Sequence, residues 1–138
     1  MAATSSINVL QLVRRVLLAD PLVSDTVADR VLTGHRFDAS QGTLPMPAII
    51  LAAQGGSGMS NKAKQSLIFH LYAYSDVGEG EALDLYAAAF DALCSSRLYN
   101  EHVSTAGYCY ENERPRHGYN DRLIAWWARG TWTAQAAG

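Results

Sequence analysis

The sequence has few charged residues and no excess of basic ones. Eleven Lys and Arg stand against thirteen Asp and Glu, which gives a formal net charge of -2, and charged residues make up only 17% of the chain. No general positive field therefore draws the protein to nucleic acid or to an anionic membrane, so any DNA contact must be local. The low charge beside an apolar fraction of 49% indicates that part of the surface is buried against partners.

The chain also lacks a long apolar run and a signal-peptide pattern. Its apolar stretches fall far short of the ~20 residues that span a bilayer, so no membrane partner is predicted. The first six residues, MAATSS, show no basic region followed by an apolar stretch and a cleavage site. We therefore expect synthesis and action in a cytoplasm.

Cysteine is scarce, and histidine shows no ligand spacing. Cys94 and Cys109 are too few and too far apart for a zinc site or a CxxC redox pair, and we interpret both as buried structural thiols. The four histidines form neither HxH nor HExxH. The sequence thus predicts no metal, no cofactor and no catalytic residue. One enzyme hypothesis stays open, a small cytosolic enzyme using His70 or His117 with a nearby acid such as Asp121.

The hydrophobic patterns predict an α+β fold in a single domain, 1–138. Apolar residues recur at helical spacing over residues 7–19, and Asp20-Pro21 then ends that helix and begins a short one over residues 22–27. A second long helix begins among the acids of SDVGEGEA and ends near Ser96. Strands are predicted over residues 30–33, 48–53, 66–74, 103–111 and 122–132. The result is two main helices packed on one face of a mostly antiparallel β-sheet.

Three segments are predicted to lie outside these elements. The polar segment NERPRHGYND, which contains His117 and Asp121, is interpreted as the turn between the last two strands. Residues 133–138 are expected to form a frayed tail. Residues 54–65 predict a flexible loop, whose glycines fit neither a phosphate-binding loop nor a nucleophile elbow. This loop holds the only lysines, Lys62 and Lys64, which either contact a phosphate backbone or are ordinary solvated side chains.

The segment LIAWWARGTW predicts a strand with two apolar faces. Read with period two, Trp126 and Trp127 point to opposite sides, and the strand over residues 66–74 repeats this two-sidedness. One face can cover the helices, and the other must be buried by a neighbouring protein surface. Arg114 and Arg116 alternate with acids and are interpreted as hairpin or interface ion pairs. The predicted oligomer or partner interface comprises Tyr72, Tyr74, Trp126, Trp127, Arg114 and Arg116.

Taken in order, five segments of the chain carry a family resemblance. They are VLLADPLVSDTVADRVLTG, LPMPAIIL, QSLIFHLYAYSD, GEALDLYAAAFDAL and the strand that follows RHGYNDRLIAWWARG. Their order resembles that of the tail terminator and tail completion proteins of long-tailed bacteriophages, and the likeness covers nearly the whole chain. These motifs are patterns of fold and are not catalytic.

The resemblance implies a structural virion protein that is assembled in the host cytoplasm and forms a ring, typically of six subunits, at the head-proximal end of the tail. Such a ring stops polymerisation of the tail tube and joins it to the head connector. The implied partners are the tail tube protein and a head-completion or connector protein, around a channel through which the genome passes. A non-specific contact of Lys62 and Lys64 with genome DNA rests on the residues of their loop, which matches no family signature. The Trp126-Trp127 pair matches no family signature. A head-completion or stopper ring of the neck and a host-encoded dimeric binding module are the alternatives.

Overall fold

The computed structural model describes residues 9–33, 46–57, 64–95, 98–100, 105–121 and 124–137. Within them the chain forms a single α+β domain with three helices and one six-stranded sheet. In chain order the elements are α1 (Val9–Ala19), α2 (Pro21–Val27), β1 (Val31–Thr33), β2 (Ala48–Ser57), β3 (Lys64–Ser75), α3 (Glu79–Ser95), β4 (Leu98–Asn100), β5 (Thr105–Asn120) and β6 (Ala125–Ala137). The predicted α+β class is confirmed.

The strand order places the last strand in the middle of the sheet. The order is β1-β2-β3-β6-β5-β4, with β1 and β2 parallel and the other neighbours antiparallel, so the sheet is mixed. Strand β6 pairs with β3 from Ala137 to Trp126 and with β5 along its other side. Because both edges of β6 are paired, its backbone groups bond within the sheet, and its side chains alternate between the two faces.

One core joins the helices to one face of the sheet. Alternate residues of the central strands contribute to it, among them Phe69, Leu71, Ala128 and Trp132. The helical members are Val9, Leu12, Val13, Leu17, Val23, Val27, Leu85, Tyr86, Ala89, Ala92 and Leu93. We call this side of the sheet the core face and the opposite side the open face.

The prediction of two main helices on one face is incomplete, because the short helix α2 packs into the same core. The Asp20 side chain accepts a hydrogen bond from the Leu22 N–H at 2.9 Å, and Pro21 occupies the first turn, so a helix begins there as predicted. Val23 and Val27, one turn apart, are fully buried. All three helices therefore supply side chains to one core with a mixed sheet.

Strand β5 continues, with two bulges, through residues 112–120 of the predicted turn. Two register shifts, between Glu111 and Glu113 and between Glu113 and Arg116, each place one extra residue in β5. Such bulges let a strand accommodate Pro115, which cannot donate to the ladder. The chain reverses instead between β5 and β6, where Ile124 has a φ of 53°. The polar residues and the proline that predict a turn therefore lie at β-bulges instead.

Both segments expected to be irregular contain strand. Of residues 54–65, strand β2 includes those up to Ser57 and β3 begins at Lys64, while residues 58–63, with Lys62, lie outside the described residues. Residues 133–137 continue β6 and are not frayed, since they pair with β3 and β5. Thr133 and Ala134 are buried there. Small residues suit this position because neighbouring strands lie on both sides.

Candidate functional site: the open face of the sheet

The open face carries a second apolar cluster, whose described members all lie outside the helices. Its buried members are Ala48, Ile50, Tyr74 and Ala125, and Met46, Tyr72 and Trp127 pack against them. The Tyr72 and Tyr74 rings stack with centroids 5.7 Å apart and an angle of 11° between their planes. Burial, with a smaller contribution from Tyr72, raises the pKa of Tyr74 to about 12, so this hydroxyl stays protonated at neutral pH.

Trp127 lies flat against the neighbouring strand. It pairs with Gly118 of β5, and a Cβ at that glycine would come within 2.7 Å of the Trp127 ring. The Arg129 guanidinium lies 6.0 Å from the centre of the same ring, at the outer limit of a cation–π contact. The absence of a side chain at Gly118 thus gives the indole its place on the sheet.

Two arginines face each other across the strands beside this ring. Arg116 and Arg129 are directly paired between β5 and β6, and like charges in that arrangement repel. Among the described residues the salt bridge present is His117 with Glu79, so neither arginine has a described carboxylate as a partner. The open face therefore presents two cations with no salt bridge among the described residues, and the Glu113 carboxylate lies on the same face near His70.

The open face continues past Arg129 to a polar and aromatic end. The Thr131 hydroxyl lies 3.0 Å from His70 Nδ1. Burial lowers the pKa of His70, and Arg129 lowers it further while Glu113 opposes both. At neutral pH this histidine therefore adds no charge to that of the arginines.

Two exposed tyrosines on β5 enlarge the open face. Tyr108 and Tyr110 have ring centroids 6.2 Å apart, and the Tyr108 hydroxyl donates to Gln135 Oε1 at 2.8 Å. Both rings remain largely exposed, as does Ile68 on β3. The alternation in YCY, with Cys109 buried between the two tyrosines, is the sequence signal that identifies them.

The predicted interface residues divide between the two sides of the sheet. Tyr72, Tyr74, Trp127 and Arg116 come together on the open face. Trp126 lies on the other side, where its ring meets Tyr119 edge to face at 5.0 Å. Arg114 falls in β5 and Lys64 at the start of β3, and their side chains lie outside the described residues, as does all of Lys62.

The two histidines of the enzyme hypothesis lie on opposite sides of the sheet, and the acid that contacts His117 is Glu79. His117 Nδ1 lies 2.8 Å from Glu79 Oε1, and about half of each side chain is exposed. Its strand position pairs with Ala128 of the core face, whereas His70 lies on the open face. His117 therefore pairs with Glu79 at the start of α3. Asp121 is exposed in the turn that follows β5.

The described part of the chain shows no other centre of reactive side chains. It contains no group of three His, Cys, Asp or Glu residues placed to hold a metal ion. Cys109 is buried as expected, but Cys94 is exposed, so the prediction of two buried thiols is wrong for Cys94. None of the helices in the described ranges is long and apolar enough to cross a membrane.

An acidic groove lies between α2 and α3. It has a volume of about 440 Å³, and its lining includes Leu22, Leu85, Ala88, Glu81, Asp84 and Asp91. The described residues of the lining include neither lysine nor arginine. The Glu81 carboxylate accepts a hydrogen bond from the Ser75 hydroxyl at 2.8 Å, while Asp84 and Asp91 are exposed. Sequence reasoning explains Glu79, Glu81 and Asp84 by the helix dipole alone, and so misses this groove.

These features define a small α+β domain with an aromatic sheet face on one side and an acidic helical groove on the other. No protein-family model and no curated protein matches the sequence. The fold is similar to a chain in a solved structure described as the virion of a native gene transfer agent (GTA) particle, with a TM-score of 0.69 and 18% sequence identity. The match covers 96% of this chain and 100% of that chain. At this identity the likeness establishes a shared fold.

Proposed function

We propose that this chain is a structural protein of a phage-type virion, with no enzymatic role. The observation that carries the proposal is the match to a gene transfer agent virion chain along nearly the whole length of both chains. The order of the sequence segments resembles that of phage tail terminators on separate grounds. Segment order and fold similarity thus favour the same class of protein.

Within the virion, the proposed place is a ring at the head-proximal end of the tail. There the ring terminates the tail tube and joins it to the head connector, so its partners are further copies of the chain, the tube protein and a connector protein. A subunit of this kind works through contact surfaces. The open face, with Tyr72, Trp127 and Arg129, has the aromatic and arginine content that is enriched in protein interfaces.

In this proposal, the segment that holds Lys62 and Lys64 faces the channel of the ring and contacts the genome. Two lysines can contact a phosphate backbone without reading its sequence. The double substitution Lys62→Ala with Lys64→Ala is expected to leave folding intact and to lower genome retention in particles. Unchanged particle yield and DNA content would remove the role of this loop.

The experiment is deletion of the gene in the producing cell, followed by electron microscopy of the particles. A tail terminator is expected to leave tails of unregulated length and heads without tails, and the wild-type gene supplied in trans restores normal particles. Tails of normal length beside heads that have lost DNA would assign the chain to a stopper ring of the neck. Normal particles that lack the protein would contradict a virion role altogether.

A further inference from the structure

Two surfaces of this chain carry opposite charge beside apolar side chains. We infer that the open face of one copy docks into the α2–α3 groove of the next copy, head to tail. The inference rests on the proposed function, because it names the contact between ring subunits. A contact between two different surfaces of identical chains can repeat around a ring and close it.

The cationic half of the contact is the arginine pair on the open face. Arg116 and Arg129 lie directly opposite each other with no described carboxylate as a partner. Holding two like charges side by side costs free energy, which an anionic partner between them removes. The aromatic surface beside them, Trp127 and Tyr72, excludes water from such a contact and strengthens it.

The anionic half is the groove between α2 and α3. Asp84 and Asp91 both line it and are seven residues apart on α3, which is two helical turns or about 10 Å along the axis. Glu81 lines the groove one turn before Asp84. Among the described residues that line the groove, these three carboxylates meet no Lys or Arg.

The floor of the groove suits a flat ring. Ala87 and Ala88 lie between Asp84 and Asp91 and present only methyl groups, so an indole can lie close to the helix. Leu22 stands at the groove with 69% of its surface exposed, the second largest exposure among the large apolar side chains described. An apolar floor flanked by carboxylates thus matches an aromatic ring flanked by guanidinium groups.

A second copy accounts for more of these features than a nucleic acid does. A phosphate backbone could satisfy Arg116 and Arg129, but it would leave the acidic groove and Leu22 without a partner. The chain's net charge of -2 also opposes general attraction to nucleic acid. Docking of one copy on another neutralises both surfaces at once.

The test is a charge exchange in the full-length chain. The face variant carries Arg116→Glu and Arg129→Glu, and the groove variant carries Asp84→Arg and Asp91→Arg. Each alone brings like charges together at every contact, and we expect its Kd for self-association to rise by about 100-fold or more. In an equimolar mixture the acidic face of one variant meets the basic groove of the other, so association returns in assemblies that contain both. Sedimentation velocity at low salt measures the association, and native mass spectrometry measures the composition.

Controls separate docking from folding and from general charge. Melting curves check that each variant is folded, and Arg116→Gln with Arg129→Gln gives a milder change at the same positions. Arg15→Glu with Asp29→Arg reverses two exposed charges outside both surfaces and is expected to leave association unchanged. Association of the wild-type chain is expected to weaken as salt rises.

Several results would overturn the inference. Folded variants that associate as the wild type does, or a mixture that does not recover, would exclude this contact. A wild-type chain that stays monomeric up to about 1 mM would also exclude it, because a Kd above that concentration is too weak for a specific assembly. DNA binding by such a monomer, lost in the face variant, would assign the arginines to phosphate. If the mixture recovers but virions lack the protein, the contact stands and the proposed function fails.

Discussion

Trp132 and Trp127 lie five residues apart on the same strand and have opposite surroundings. Trp132 is fully buried, its Nε1 donates to the Tyr86 hydroxyl at 2.9 Å, and Phe90 meets it edge to face. Trp127 rests on Gly118 beside Arg129, partly open to solvent. Trp132 is thus enclosed by the core of its own chain, whereas Trp127 belongs to a surface whose described rings and charges remain partly exposed.

The largest effect is expected from truncating the buried member of this pair. Trp132→Ala should lower the free energy of unfolding by about 3–5 kcal/mol, because it leaves a cavity and removes the partner of Tyr86. Trp127→Ala should cost clearly less stability and should weaken self-association instead. Chemical denaturation and sedimentation of both variants measure the two effects. Equal losses of stability, with association unchanged, would show that the open face is merely a second core.

Each face of the sheet also has a glycine against which an aromatic ring packs, Gly130 on the core face and Gly118 on the open face. A Cβ at Gly130 would lie 1.7 Å from the Tyr86 hydroxyl oxygen, which is held by Trp132 and by a hydrogen bond to Glu111. Gly130→Ala should therefore cost about 2–3 kcal/mol of stability, in the range of overpacked cores. Gly118→Ala would displace the Trp127 ring, which can shift into solvent, so stability should fall by less than half as much while association weakens. Thermal unfolding and sedimentation distinguish the two, and the reverse order of stability losses would contradict this reading.

A smaller effect concerns alkaline pH. The pKa of Tyr74 is raised from 10.0 to about 12, so burial of the neutral ring stabilises the folded state fully below pH 10 and progressively less as pH rises toward 12. Over that interval Tyr74→Phe should lose less stability than the wild type, by at most about 2 kcal/mol. Denaturant titrations of both proteins across this range measure the difference. If the wild type and Tyr74→Phe lose the same stability over this range, burial does not raise the pKa of Tyr74.

The smallest effect is expected at the exposed pair of His117 and Glu79. Both side chains are about half exposed, so His117→Gln should change the free energy of unfolding by only about 0.5 kcal/mol or less. The same variant leaves the open face intact, and self-association should be unchanged. Loss of association in this variant would move the interface to the core-face side of the sheet.

The sequence predicts well which residues form helices and strands and which side of the sheet each side chain faces. Alternation and helical spacing are local properties of the chain. The period of two in β3 and β6 places Tyr72 and Trp127 on the face opposite Phe69 and Trp132, as observed. It also indicates that this second face is apolar, which is the feature the site depends on.

The features that fail to be predicted depend on pairing between distant segments. NERPRHGYND has the composition of a turn, and it becomes strand with two bulges because β6 provides a partner along its whole length. The same partner orders residues 133–137. The groove between α2 and α3 joins Leu22 to Asp84 and Asp91, and no local pattern relates positions so far apart.

Our main proposal is that a neighbouring subunit covers the open face in the assembled virion. Cryo-electron microscopy of purified particles from the producing cell tests it most directly. We expect a ring at the head-proximal end of the tail whose density fits this fold. In this ring Trp127, Arg116 and Arg129 are buried against a neighbouring subunit. A ring that fits the fold but leaves this face open to solvent, or particles without the protein, would contradict it.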